Sequence, residues 1–289
     1  MNIAGAPITW GVCEVPAWGH QMSPDRVLSE MRQIGLTATE FGPPGWLPSE
    51  PEKRAEIIAR HDLEAVGSFF LAIMHDPDSD PVPDVEKELD AFEVAGGSCL
   101  VLAADSGRTN YDDRPVLDEA GWSTLVKNID RIAHACERRG VDACIHPHWG
   151  TMVQNVDEVR RVLDNTSVGL CLDTGHLTCG GADVVALTRT YADRVSIVHA
   201  KDVDTSIANR LIAGELTWGE AVRAGMFAPV GQGDVDFAAI VATLDAAGFS
   251  GYYVLEQDIM LTREPAAREG PIANARASLE ALRAFDIPR

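Results

Sequence analysis

"GWSTLVKNIDRIAHACERRGVDACIHPHWG", residues 121–150, carries the pattern on which the fold is decided. The first part has the apolar spacing of an amphipathic helix, and Gly140 suits its stop. "VDACI" then reads as a short buried strand. It runs directly into His146, Pro147, His148 and Trp149. Side chains alternate along a strand, so His146 and His148 point the same way. Polar groups at the end of an apolar strand are costly unless something binds them.

The same phrase of helix, small turn residue, apolar run and polar end recurs outward in both directions. Upstream, "SPDRVLSEMRQIG" leads into "LTATEF", "EPEKRAEIIARHD" into "LEAVGSFFLAI", and "DVEKELDAFEVAGG" into "SCLVLAA". Ser23 is placed as a helix N-cap, Pro24 as the first helical residue and Gly35 as the stop. Downstream, "NVDEVRRVLDNT" leads into "SVGLCLDTGH", "GADVVALTRTYAD" into "RVSIVHAKD", and "DVDFAAIVATLDAAGFS" into "GYYVLEQD". With the opening "IAGAPITW" these make eight strand candidates. Short apolar strands alternating with helices imply a parallel sheet covered on its outer face. Eight such units predict an α/β fold, a single (β/α)8 TIM barrel with residues 1–289 as one domain. No strand is followed by a GxGxxG loop, which removes support for a dinucleotide-binding sheet.

In such a barrel the strand ends ring one mouth. They are Glu40, His75 and Asp76, His146 and His148, Asp173, His199, and Glu256. Singly, each has a plainer use: a strand-end Asp caps the next helix, and a lone His or Glu is solvated. Together, two carboxylates, an imidazole and another N or O donor make a divalent metal site. Mixed N/O ligation without thiolate suits Mn2+ or Co2+, with Mg2+ and Zn2+ also allowed.

Composition sets the outer bounds. The net charge of −20 argues against a nucleic-acid partner, which requires clustered Lys and Arg. No apolar run is long enough to cross a bilayer, and the first residues lack the pattern of a signal peptide. The six cysteines form no CxxC pair, and Cys99, Cys144 and Cys171 lie in apolar runs as small buried hydrophobes. A reducing cytoplasm is the expected location. A homo-oligomer is compatible with all of this.

The motifs "LCLDTGH", "VHAKD" and "YYVLEQD" resemble the metal-binding strand ends of the xylose-isomerase-like TIM barrels, the sugar phosphate isomerase/epimerase superfamily that also includes endonuclease IV. Within it, "GAPITWGVCEVP", "EMRQIGLTATEFGPPGWLP", "HPHWGTMVQ" and "PVGQGDVDF" resemble the inosose dehydratase branch of inositol catabolism, and the likeness spans nearly the whole chain. The resemblance implies that Asp173, His199 and Glu256 are metal ligands. It implies that His176 contacts metal or substrate and that Lys201 meets substrate oxygens. The superfamily's remaining ligand is a glutamate from the fifth strand, and here the chain departs. His146 stands where that glutamate is expected, while relatives with the longer "HPH" loop often place Glu at the position of Gln154. The Gln154 amide oxygen is the preferred ligand for that place, with His146 as its competitor. Endonuclease IV chemistry is set aside, because it expects further metal-binding histidines and a basic surface.

The activity implied is dehydration of a cyclic keto-polyol such as an inosose, with a small-molecule polyol or keto-sugar as the only partner. His146, His148 and His176 are the candidate acid–base groups, because imidazole titrates near working pH. Lys201 is the candidate cation for the enediolate oxygen. Glu14, Glu40 and His75 are candidates to hold hydroxyls. Trp10 and Trp149 are candidate apolar walls, with core packing or a lid as the alternative use. The same first step without loss of a hydroxyl gives a metal-dependent keto-sugar isomerase or epimerase. A non-catalytic sugar-binding barrel is the third reading.

Overall fold

The computed structural model describes residues 1–285. Its strands and helices, in chain order, are β1 (Asn2–Gly5), α1 (Pro24–Ile34), β2 (Ala38–Glu40), α2 (Pro51–Arg60), β3 (Glu64–Ala72), α3 (Val82–Ala95), β4 (Cys99–Ala104), α4 (Glu119–Arg138) and β5 (Asp142–Ile145). These are followed by α5 (Val156–Leu163), β6 (Gly169–Asp173), α6 (Thr174–Cys179), α7 (Val184–Tyr191), β7 (Val195–Ala200), β8 (Asp202–Val203), α8 (Thr205–Ile212), α9 (Trp218–Arg223), β9 (Phe227–Ala228), α10 (Phe237–Ala246), β10 (Tyr252–Leu255) and α11 (Pro271–Phe285). Eight strands close in the order β1-β10-β7-β6-β5-β4-β3-β2, and every barrel pairing is parallel. This is a TIM barrel. No helix of the described residues is long and apolar enough to cross a membrane.

The strands are apolar on both faces because both are covered. Leu100 and Leu102 of β4 belong to the outer cluster that packs under the helices, with Leu170 and Leu172 of β6 and Val198 of β7. Val101, Cys99, Cys144, Cys171, Ile197, Val254, Ala4 and Ala38 form a second buried cluster inside the barrel. Each fully buried aliphatic side chain stabilises the fold by about 1.5–3 kcal/mol. The interior therefore fills the lower barrel and leaves only the strand ends for polar groups.

The alternation can be followed upward. Cys171 pairs in register with Ile197, and Asp173 with His199. His199 in turn stands beside Val254. One alternation above the thiols and aliphatics of the interior, the inward positions thus become Asp173, His199, His146, Glu256 and Glu40.

Two features lie outside the regular unit. Helix α6 starts at once from the end of β6, with Asp173 itself as N-cap. Between β7 and β10 the chain makes a long excursion through the β8–β9 hairpin and helices α8 and α9. Asp202 anchors it: fully buried, it accepts hydrogen bonds from the backbone N–H groups of Val203, Gly231, Gly233 and Val235 at 2.8–3.0 Å. A β-carbon on Gly233 would stand 2.4 Å from Asp202 Oδ1, so only glycine fits there.

Candidate metal centre

His146, Asp173, His199 and Glu256 bring one ligand atom each to within 4.8 Å of one another at the C-terminal mouth of the barrel. The first three are essentially without solvent contact. Asp173 serves fold and site at once. Its Oδ1 caps α6 by accepting from His176 N–H at 2.7 Å, and its Oδ2 lies 3.1 Å from His146 Nε2. Oδ1 thus serves the capping use expected of a lone strand-end Asp, while Oδ2 faces the candidate ligand cluster.

His199 shows most directly that a cation fits. Its Nε2 donates to Glu40 Oε1 at 3.0 Å, which turns Nδ1 toward the cluster. Nδ1 lies 2.8 Å from Glu256 Oε2, yet neither atom has a hydrogen bond of acceptable geometry among the described residues. Without an ion the two form a close ion pair; a cation at the cluster would take the place of the Nδ1 proton between them. The carboxylate behind the distal nitrogen is the usual support of a metal-binding imidazole.

The electrostatics agree. Asp173, Glu256 and Asp258 meet one ammonium, Lys201, while Glu40 pairs with His199. Burial pulls the Lys201 and His199 pKa values down, but the carboxylates overcome it and hold both well above their ordinary values. Burial pushes Asp173 up, but Lys201 and His176 bring it well below the carboxylate range. The site holds a surplus of negative charge that a dication would neutralise.

Lys201 is fully buried. Its Nζ donates to Asp258 Oδ1 at 2.7 Å and to His176 Nε2 at 2.9 Å, and lies 3.3 Å from Glu256. The "DTGH" sequence explains how it gets there. Thr174 Oγ1 donates to Lys201 C=O at 2.7 Å and pins the end of β7. Gly175 leaves room for the lysine stem, because a β-carbon there would stand 2.5 Å from Lys201 Cγ. His176 then receives the ammonium.

The His148 and His176 rings pack against each other, tilted by 36°, with centres 3.7 Å apart. Burial, then neighbouring positive charge, lowers both pKa values, that of His148 to about 3 and that of His176 well below 6.5. Both are therefore neutral imidazoles. His148 donates from Nδ1 to Trp149 C=O at 2.7 Å, which leaves Nε2 as its basic atom.

The other sequence candidates divide. His146 joins the ligand cluster. Gln154 does not: its Oε1 accepts from Gly150 N–H at 2.8 Å and closes the loop instead. Glu40 lines the cavity but is committed to His199. Glu14 lines the cavity and accepts from Tyr111 O–H at 2.7 Å. His75 lies half-buried in the loop after β3 and is not among the lining residues. Trp10 is a core residue, fully buried, with its indole N–H on Glu30. Trp149 stacks on Trp218 behind the wall.

Asp258, Tyr111, Phe69, Trp18 and Trp218 line the cavity without having been singled out in the sequence. Asp258 had a usable signal, since it lies two residues beyond Glu256 on the same strand face. Trp18 and Tyr111 arrive from loops, where no periodicity announces direction, whereas Phe69 lies on β3 and Trp218 opens α9. The cavity measures about 60 Å3, the share of roughly two waters. Glu14, Tyr111, Trp18 and Trp218 separate it from an outer hollow of about 500 Å3.

A buried site of carboxylates and imidazoles at the mouth of a parallel barrel defines the class, and sequence comparison defines the family. Residues 28–285 match the family model described as "Xylose isomerase-like TIM barrel", and the chain belongs to that family. It is 31% identical over 275 residues to an inosose dehydratase of Geobacillus kaustophilus (strain HTA426), covering 89% of this chain and 87% of the relative. It is also 31% identical over 267 residues to the rhizopine catabolism protein MocC of Rhizobium meliloti, covering 89% and 82%. Among solved structures, an L-ribulose 3-epimerase superposes with TM-score 0.71 at 16% identity over 99% of this chain and 96% of that one. The IOLI protein with a bound zinc atom gives TM-score 0.72 at 15% identity over 99% and 98%.

Proposed function

We propose that the protein is a metal-dependent hydro-lyase that dehydrates a cyclic keto-polyol of the inosose type. The observation that carries this reading is the convergence, at one barrel mouth, of a candidate ion-binding donor set with a buried ammonium and two neutral imidazoles. The likeness to inosose dehydratases supplies the substrate class.

His146, Asp173, His199 and Glu256 would hold the ion, with Mn2+ or Co2+ the first choice. When bound, it would hold the ketone and a neighbouring hydroxyl and polarise the carbonyl. In dehydration the α C–H bond breaks, its electron pair forms a C=C bond, and the β C–O bond breaks. The departing hydroxyl takes up a proton and leaves as water, and the resulting enol tautomerises to the dione. His148 Nε2 is the proton acceptor, because the Trp149 carbonyl fixes the tautomer that leaves its lone pair free toward the cavity. Lys201 is the fixed cation for the developing oxyanion, oriented by Asp258 and His176. His176 holds the Lys201 ammonium through Nε2 and packs against the His148 ring, which keeps both in place. Glu14 and Tyr111 meet ring hydroxyls, while Trp18, Trp218 and Phe69 cover C–H faces and exclude water.

The test is incubation with scyllo-inosose, and separately with ketohexoses, in the presence of Mn2+ or Co2+. Growth of dione absorbance with the inosose supports the reading. Epimerised ketose without dione would assign the isomerase or epimerase reaction instead. Binding of the polyol without metal and without turnover would leave a sugar-binding barrel.

A further inference from the structure

Directly beneath the metal centre lies a second set of donors that the dehydratase chemistry does not use. Cys171 is on β6, two residues before Asp173 and facing the same way. Its Sγ and one nitrogen each of His146 and His199 lie within 4.8 Å of one another, and all three residues are buried. His146 keeps its Nδ1 buried without a hydrogen-bond partner among the described residues, although its Nε2 is engaged by Asp173. Below Cys171 two more thiols continue across neighbouring strands. Cys144 Sγ lies 3.3 Å from Cys99 Sγ, and its S–H donates to Leu100 C=O at 3.7 Å. Burial pushes the Cys171 thiol up to about 12, so its proton is given up only to a bound thiophilic cation.

We infer that the barrel holds two mutually exclusive metal positions. The upper one is for oxygen-preferring dications, on Asp173 and Glu256. The lower one is for thiophilic cations such as Cd2+ or Zn2+, on Cys171, His146 and His199. The softness of thiolate and imidazole selects the second class, whereas paired carboxylates select the first. His146 makes the lower position competent, because a carboxylate in its place would contribute oxygen rather than a second imidazole. Exclusivity follows from sharing, since His146 and His199 serve both positions. On occupation of the lower position a metal–sulfur bond forms, and the Cys171 S–H proton leaves to solvent. No electrons are transferred. The chain would thus be inhibited by thiophilic metals through displacement, with the inhibitor seated below the catalytic position.

The proposal shares two imidazoles with the metal centre proposed above, and the experiment separates the two. Cd2+ and Mn2+ are titrated individually into the metal-free protein, and then Cd2+ into the Mn2+ form. Sulfur-to-cadmium charge-transfer absorption reports the thiolate, and the paramagnetic signal of free Mn2+ reports its release. The expected result is a charge-transfer band at one equivalent of Cd2+, with stoichiometric loss of Mn2+. The band persists in Cys144→Ser and Cys99→Ser and is absent in Cys171→Ser and Cys171→Ala. The last two lose at least tenfold in Cd2+ affinity while Mn2+ affinity stays within twofold. Absence of the band in the wild type overturns the inference without any variant. A band that survives in Cys171→Ser or Cys171→Ala, or Cd2+ and Mn2+ bound together, overturns it equally. A Cd2+ band with no Mn2+ binding at all would defeat the upper site and the exclusivity, leaving a thiolate site alone.

Discussion

Replacing Lys201 with Met removes an ammonium from a fully buried position but keeps most of its stem. The ammonium lies 2.7 Å from Asp258, 3.3 Å from Glu256 and 3.6 Å from Asp173. A lysine just past a strand is ordinarily dispensable for folding. Here its loss leaves carboxylates buried without their counter-charge, a change that costs about 3–5 kcal/mol. The metal-free variant should therefore melt roughly 6–20 °C below the wild type. A dication supplies positive charge at the same carboxylates, so Mn2+ should restore part of the loss. At a hundredfold excess over Kd that recovery is about 2.7 kcal/mol. Metal affinity should not fall, because a competing cation has gone. Turnover of the loaded variant should drop by at least tenfold, about 1.4 kcal/mol of lost oxyanion stabilisation. The assay is thermal unfolding with and without Mn2+, paired with steady-state kinetics. A metal-free Lys201→Met protein that melts within about 2 °C of the wild type would refute the electrostatic account, since the smallest expected loss is several times larger.

The fifth-strand ligand is tested by metal titration. His146→Ala should weaken Mn2+ binding at least tenfold, whereas Gln154→Glu should leave it unchanged because position 154 faces Gly150. The opposite pattern would return the ligand role to Gln154. Glu40→Gln keeps the shape behind His199 but removes the charge that holds Nε2–H, and should cost about 10–100-fold in metal affinity or activity. An unchanged pair of values would show that Glu40 does not orient the ring. Gly233→Ala drives a β-carbon into Asp202 and should destabilise by about 1–3 kcal/mol by chemical denaturation, with no change in m-value expected. Wild-type stability would mean that the loop shifts freely.

Much of this was legible in residues alone, for a physical reason. The barrel repeats one unit, and each repeat carries its own punctuation: Pro24 opens α1 and Gly35 closes it in the left-handed conformation. The strand-end residues were legible because alternation along β5, β6, β7 and β10 fixes direction without tertiary information. Placement failed where direction depends on loops. Trp10 belongs to a 3-10 turn that points it into the core, and Gln154 closes a turn on Gly150. The residues of helices α8 and α9 read as a loose segment although Asp204 caps the first and a Thr217–Glu220 capping box opens the second, because each helix is only about two turns long. Ser23 occupies the expected cap position of α1 without making a side-chain cap bond. Identity of a capping residue fixes where a helix begins more reliably than it fixes the bond.

Asp173 divides its two oxygens between a helix and the candidate metal centre, and this would tie composition to motion. Loading or loss of an ion at Oδ2 would be felt through the same carboxylate at the first turn of α6. The amide hydrogen of His176 is held by the other oxygen, so its exchange with solvent deuterium would become a clock for ion occupancy. The carboxylate is thus a lever with two arms. An observer watching one backbone proton could read the state of the centre without seeing substrate, product or ion.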